Sequence, residues 1–348
     1  MQFASDNWAG ATPEVMAALN AANQGFAPAY GNDALTERVT ARFADLFERE
    51  VELWFVATGT AANSIGLASL SRPGGLVLCS REAHINVDEW GATEFQSGGM
   101  KLVTLPEAAG KIAPEVLAET LKRYPAGGRF GAPVALSLTN ATELGTVYSP
   151  AEVSVLTKLA HDAGLAVHMD GARFGNAVAA LGASPADITW RAGVDLMSFG
   201  GTKNGCLAAE AIVVFSPEKL QDLAARRQRA GHTFSKSRYI AAQFEGYLSD
   251  GKWLERASHA NAMANRLRSG IAASPMARLG WESAANEVFA VLPRSVIQQL
   301  QDAGATFHDW PADSASPPHR PAPHEDLVRL VTSWATTPEE VERFLALL

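Results

Sequence analysis

The sequence predicts an α/β protein, with a mostly parallel sheet covered by helices on both faces and a smaller α+β domain at the C-terminal end. Three observations predict it. Strand-length apolar runs recur between about residue 50 and about residue 215. Segments with helical spacing separate them. The runs are continuous rather than alternating, as in strands buried on both faces.

In chain order the runs are Leu53–Val56, Leu76–Cys79, Leu102–Leu105, Val134–Leu138, Ala166–Met169, Asp195–Phe199 and Ala211–Phe215. Pro114–Arg123 and Pro150–Ala163 space their apolar residues as helices do, and Gly164 closes the second as a C-cap glycine. After Pro217 the character changes. Helical patterns cover 217–230, 237–249 and 252–273. Two strand candidates follow, Glu287–Leu292 and Val328–Ser333, with helices at 294–303 and 338–347. We therefore expect a large domain at 1–249, with an N-terminal arm, and a small domain at 250–348. The stretch Pro311–Pro323 is a loop by composition. Its His319 and the nearby His324 lack further ligands at usable spacing, so no metal site is expected.

The length of 348 residues suits two domains. Charged residues make up 19 % of the chain and apolar ones 47 %, which implies a large core and surface hidden by partner subunits. With 37 acidic and 29 basic side chains the net charge is −8, so a nucleic-acid interface, which needs basic stripes, is not expected. The basic run Arg226-Arg227-Gln228-Arg229 reads as a solvated helix face. No stretch approaches the roughly 18 apolar residues of a membrane span, and Met-Gln-Phe-Ala-Ser-Asp-Asn lacks the features of a signal peptide. Cys79 and Cys206 are too few for a disulfide framework. The cytoplasm is the expected compartment.

Three short segments fall at strand ends. Ala57-Thr58-Gly59-Thr60-Ala61-Ala62-Asn63 follows a strand and opens a helix, where free N–H groups and the helix dipole seat a phosphate; an ordinary N-cap reads the same way. His168-Met169-Asp170-Gly171-Ala172-Arg173 ends a strand with an acid and a base three residues apart, which is a site or a surface ion pair. Phe199-Gly200-Gly201-Thr202-Lys203-Asn204-Gly205 sets a lysine among small residues. It lacks the glycine spacing of a nucleotide P-loop, and a lysine in a low-dielectric pocket becomes an amine nucleophile towards carbonyls. Together these answer the needs of pyridoxal 5′-phosphate (PLP): a lysine for its aldehyde, an acid for its ring nitrogen and a helix N-terminus for its phosphate. Asp170 and Lys203 are 33 residues apart, room for one helix and one strand, so they belong on neighbouring strand ends.

At these residues the chain resembles the fold-type I PLP-dependent enzymes, and within them the low-specificity L-threonine aldolases and phenylserine aldolases. The resemblance runs nearly end to end. It takes in Ser5-Asp6-Asn7, Ala29-Tyr30-Gly31-Asn32-Asp33, Asn63, His84 with Glu89 five residues on, Asp170-Gly-Ala-Arg173, Gly-Gly-Thr-Lys203-Asn-Gly and Val328-Arg329-Leu-Val-Thr-Ser-Trp334. It implies a PLP-dependent transferase-like fold and a homo-oligomer, a dimer of dimers. It also implies Lys203 as the Schiff-base lysine, Asp170 at the pyridine nitrogen, Arg173 near the phenolic oxygen and His84 over the ring with Glu89 beside it. Thr58, Gly59 and Thr60 would hold the phosphate. Ser5 and Arg329, with Arg173, would bind the substrate carboxylate, and Tyr30 would enter a neighbouring subunit's site.

Two segments depart from the family pattern. Gly231-His232-Thr233-Phe234-Ser235-Lys236 stands where many relatives carry a Gly-rich stretch with an arginine, and Thr139-Asn140-Ala141-Thr142-Glu143 differs from the Asn-Thr-His type. The activity implied is retro-aldol cleavage of an L-3-hydroxy-α-amino acid to glycine and an aldehyde, with His84, directly or through water shared with Glu89, as the base at the β-hydroxyl. Other PLP chemistry on this fold, β-elimination or transamination, is the alternative, and a catalytically silent binding protein is a third. The expected partner is a small amino-acid substrate, with neither nucleic acid nor membrane.

Overall fold

All seven apolar runs of the first part of the chain are strands of one sheet in the computed structural model, which describes residues 1–125, 128–315 and 319–348. They are β1 (Glu52–Val56), β2 (Gly75–Ser80), β3 (Lys101–Leu105), β4 (Ala132–Thr139), β5 (Ala166–Gly171), β6 (Leu196–Gly200) and β7 (Glu210–Val214). Their order across the sheet is β1-β7-β6-β5-β4-β2-β3. From β3 to β6 all neighbours are parallel, and β7 is antiparallel to both β6 and β1. β1 and β6 therefore point the same way, and their C-terminal ends share an edge with those of β2, β4 and β5. Ligands of such sheets bind at that edge.

The sixth run starts one residue later than its hydrophobicity suggests. Asp195 is an anchor rather than a strand residue: its carboxylate accepts from the Val167 N–H at 2.8 Å and pairs with Lys219 at 2.7 Å and His161 at 2.9 Å. Helices Pro114–Arg123 and Pro150–Asp162 fall where their spacing puts them. The second opens with a reciprocal Ser149–Glu152 capping box. The pattern at 217–230 divides into a short 3₁₀ turn, Pro217–Lys219, and a helix, Leu223–Arg229, because Asp222 takes a left-handed φ of +56°.

A large aromatic cluster fixes the strand that leads into the lysine segment. The Phe199 ring lies 5.0 Å from Phe43, 5.7 Å from Phe174, 6.0 Å from Phe244 and 6.2 Å from Tyr247 and Trp253, all buried. Phe199→Ala should cost about 3–5 kcal/mol of stability, as large-to-small changes at fully buried aromatics do. Denaturant unfolding measures it, and an unchanged midpoint would mean that the cluster is not the keystone of this layer.

The second unit is a four-stranded antiparallel sheet of β8 (Arg278–Leu279), β9 (Glu287–Pro293), β10 (His308–Trp310) and β11 (Glu325–Val331), in the order β10-β11-β9-β8. β11 begins and ends earlier than the apolar run at 328–333, because its register is set by β9: Glu325 pairs with Pro293 and Val331 with Glu287. Alternation divides the two strands cleanly. Val288, Ala290, Leu292, Val328 and Leu330 pack with helices Lys252–Ala273, Arg294–Asp302 and Pro338–Leu345, while Phe289, Val291 and Leu327 pack with Leu144 of the large unit. Glu287 and Arg329, of the second parity, therefore share the face turned to the large unit. Met1 and Phe3 join the small unit's core, with Phe3 accepting from the Val331 N–H at 2.8 Å. Of the stretch read as a loop, Ala312–Ser314 is a 3₁₀ turn and residues 316–318 lie outside the described residues. Among the described residues no helix is long and apolar enough to cross a membrane.

Candidate active site

The C-terminal ends of β1, β4, β5 and β6 and the first residue of β7, Glu210, enclose a cavity of about 260 Å³. Its wall includes Thr58, Gly59, Thr60, His84, Asp170, Arg173 and Lys203, so the structure brings together seven of the residues singled out in the sequence. The sheet register explains part of this. Thr139, Asp170 and Ser198 sit side by side across β4, β5 and β6, and Gly200 lies opposite Glu210.

Glycines make the approach possible. A side chain at Gly171 would put its Cβ 2.5 Å from the Ser198 carbonyl oxygen, and one at Gly200 would sit 2.5 Å from that of Ala172. The segments carrying Asp170 and Lys203 can lie this close only without a Cβ. Lys203 itself rides on a 3₁₀ turn, Thr202–Asn204. That turn is fastened by Asn204, whose side-chain amide donates to the Tyr247 hydroxyl at 2.9 Å and the Trp253 carbonyl at 2.8 Å.

Thr58 caps helix Gly59–Ala68 by accepting from the Ala61 N–H at 3.1 Å. The N–H groups of Gly59 and Thr60 have no protein partner among the described residues, and the space a Gly59 side chain would take is open for 4 Å. This is an anion seat with its donors free.

Opposite it, Asp170 is buried and doubly bonded, to the Asn63 amide at 2.7 Å and the Ala172 N–H at 2.9 Å. A chain of hydrogen bonds runs behind it. The Ser198 hydroxyl donates to Asn63 Oδ1 at 2.6 Å, His168 Nε2 meets that hydroxyl at 3.2 Å, and His168 Nδ1 meets Ser137 at 2.9 Å. Since Ser198 donates forward, it accepts from Nε2–H, and Nδ1 accepts from Ser137. Burial pushes the His168 pKa down to about 4, so the ring is neutral near pH 7.

Asn63 also donates to Glu89 Oε1 at 2.9 Å, and the same oxygen meets His84 Nδ1 at 2.8 Å. Glu89 thus stands behind His84 rather than on the cavity wall. Its hydrogen bond raises the His84 pKa above the ordinary imidazole value.

Arg173 is held from both sides. Asp6 takes its Nε at 2.7 Å and a terminal nitrogen at 3.1 Å, and Glu287 lies 3.3 Å from the other terminal nitrogen. Burial works against the guanidinium, but these two carboxylates outweigh it and raise its pKa. Arg329 lies 3.9 Å from the same Glu287 and stacks over Trp310 at 4.9 Å.

Besides Glu89, three expected residues do not line the cavity. Ser5 caps a 3₁₀ turn through the Asn7 N–H and borders a separate depression with Trp8 and Thr336. Tyr30 is 58 % exposed, and Arg329 stands behind Glu287, 3.9 Å from its carboxylate. Conversely, Asn7, Asp6 and Glu143 fall within the sequence motifs without a role for any of them, and the sequence does not single out Glu210 on the wall or Glu287 behind it. Position after a strand end could have flagged Glu143. Nothing local pairs Asp6 with Arg173, 167 residues away.

The family model for beta-eliminating lyases matches residues 2–293. A low-specificity L-threonine aldolase of Pseudomonas sp. (strain NCIMB 10558) is 40 % identical over 346 residues, 99 % of this chain and 96 % of that one. A threonine aldolase structure from Leishmania major superposes with a TM-score of 0.91 at 27 % identity, covering 99 % of this chain and 97 % of that one. A serine palmitoyltransferase from S. paucimobilis with bound PLP has a TM-score of 0.70 at 18 % identity, covering 100 % and 86 %, a likeness of fold alone.

Proposed function

Because this chain belongs to the beta-eliminating lyase family, and within it to the low-specificity L-threonine aldolases, we propose that it is a PLP-dependent aldolase that cleaves L-3-hydroxy-α-amino acids to glycine and an aldehyde. One observation carries this reading: a single cavity holds a lysine, a buried carboxylate fixed by two hydrogen bonds and a helix N-terminus with free N–H groups. Those residues fit PLP. Gly59 and Thr60 would hold its phosphate, Lys203 its aldehyde carbon and Asp170 its ring nitrogen. When bound, PLP supplies an electron sink for the bond that breaks at Cα.

The chain's own groups do the rest. Asp170, which accepts from Asn63 and Ala172 with neutral His168 behind, would face the ring nitrogen and hold its proton. Arg173, oriented by its fork to Asp6, presents a guanidinium to the substrate carboxylate, and Arg329 adds positive charge from behind Glu287. A carboxylate fixed in this way decides which bond to Cα lines up for cleavage. His84, its pKa raised by the Glu89 hydrogen bond, offers an imidazole on the cavity wall.

We place the enzyme in the cytoplasm and read it as a homo-oligomer, a dimer of dimers. The exposed Phe26, Tyr30, Trp90 and Phe95 support burial against further copies. The purified holoenzyme should release glycine and the matching aldehyde from L-threonine, L-allo-threonine and L-phenylserine, and none from the D-isomers. A D-isomer, its carboxylate and amine fixed, would turn its hydroxyl to the opposite face, beyond the roughly 2.6–3.2 Å reach of a base. Release of a 2-oxo acid and ammonia instead would make it a β-eliminating enzyme.

A further inference from the structure

Past the end of β4 lies Glu143, a carboxyl on the cavity wall that none of the roles above uses. Its Oε1 accepts from the His84 N–H and from the Thr139 hydroxyl, both at 2.8 Å. Its Oε2 is shielded from solvent and has no hydrogen-bond partner, and among the described residues Glu143 is the one residue of the cavity lining that carries such a side-chain atom. A shielded oxygen with free lone pairs is costly unless something supplies a proton or a donor. The base expected from the sequence already has one ring nitrogen engaged: His84 Nδ1 meets Glu89 Oε1 at 2.8 Å, and that bond raises the ring's pKa above its ordinary value.

We propose that Glu143 is the group that takes the β-hydroxyl proton of the substrate as the Cα–Cβ bond breaks. This rests on the aldolase reading above. In the step, the hydroxyl O–H bond breaks and its proton goes to Glu143. The O–H electron pair becomes the second bond of the aldehyde C=O, and the Cα–Cβ pair passes to the electron sink. Cα then takes one proton and Glu143 gives one up to water, so the products are glycine and aldehyde with nothing consumed.

The surroundings suit a base that works near neutrality. Desolvation, then the Asp170 charge, pushes the Glu143 pKa up to about 7, against the hydrogen bonds it accepts. Arg173, Lys203, His84, Asp170 and Glu210 are the charged and titratable side chains that share the cavity wall with it. Cys79 and Tyr148 also feel the Glu143 charge, and burial first of all raises the pKa of both, which keeps them neutral. The carboxylate is the reactive form, so cleavage should rise with pH through about 7.

Glu143→Gln is the informative change, because the amide oxygen can keep both bonds of Oε1 while the second position loses its basicity. The Gln holoenzyme should retain the absorbance of bound PLP, the spectral change on adding glycine, and exchange of the glycine α-proton with D₂O. It should lose cleavage of L-threonine and L-phenylserine by roughly 10²–10⁴-fold, the usual range for a general base, and lose the rise through neutral pH. Glu143→Asp should restore part of the rate with a displaced pH limb. Infrared difference spectra of wild type against the Gln variant should show one carboxyl titrating near neutral pH. Cleavage by Glu143→Gln at the wild-type rate with the same limb would overturn the proposal, as would parallel loss of glycine exchange. If the wild-type holoenzyme itself formed no glycine from any L-3-hydroxy-α-amino acid, the aldolase reading would be what failed.

Discussion

Lys203→Ala should leave a folded protein that binds PLP weakly and turns over on the order of 10⁴-fold more slowly or worse, the scale seen when a covalent nucleophile is removed. The fold should survive because the side chain holds nothing in place. Among the described residues Lys203 makes no hydrogen bond or salt bridge, whereas its turn is fastened through Asn204 and through the Thr202 N–H to Glu210 at 3.3 Å. The phosphate seat at Gly59 and Thr60 is untouched, so residual cofactor binding is expected without covalent attachment. Borohydride reduction and peptide mapping should find the cofactor on Lys203 in the wild type and on no residue in the variant. Lys203→Arg should not rescue turnover, since a guanidinium stays protonated and is no nucleophile. Full activity in Lys203→Ala would remove the lysine from the chemistry altogether.

The architecture is legible in the sequence because its strands are buried on both faces. Continuous apolar runs such as Val134–Leu138 need no partner to be recognised, and the glycines of Gly200-Gly201 announce a close approach before the neighbour is known. Helix Ala34–Phe47 carries a local signature too: Asp33 caps it through the Thr36 N–H at 2.9 Å, and Val39, Phe43 and Phe47 recur every four residues on its buried side. The short helices His84–Val87 and Ala92–Ser97 carry none, because they are shaped by the cavity and by neighbours rather than by propensity.

The site divides along the same line. Thr58–Thr60, Asp170 and Lys203 are strand-end residues, and sheet topology alone gathers them. Arg173 is different. Its position is legible, but the carboxylates that orient it come from the N-terminal arm and from the small sheet, brought there by the Phe3 and Val331 pairing and by the parity of β9. Glu143 is visible in the sequence only as a departure from a family pattern. Its free oxygen is a fact of packing, set by the two donors that claim the other one.

Asp170→Asn should give an enzyme that folds and loads PLP but cleaves roughly 10²–10³-fold more slowly, the usual effect of removing one preorganised group aimed at developing charge. The change is nearly isosteric, so geometry is preserved while the charge is lost. A neutral amide cannot hold a proton on the ring nitrogen as a carboxylate does, and the electron sink weakens accordingly. The hydrogen-bond chain adds a second cost. Asp170 accepts from two donors, the Asn63 amide and the Ala172 N–H, through different oxygens. An asparagine has one oxygen, so its NH₂ must face one of those donors. Asn63 cannot simply turn over, because its own oxygen accepts from Ser198 and its amide also serves Glu89. One buried donor is left unsatisfied, at about 1–3 kcal/mol. Thermal unfolding should therefore show a lower midpoint alongside the lost rate. Asp170→Ala separates the two effects: it leaves one Asn63 N–H without a partner and opposes it by no donor, yet should be no faster than the asparagine variant. Wild-type turnover in Asp170→Asn would show that the carboxylate is a structural anchor for Asn63 and that the ring nitrogen is held by another group.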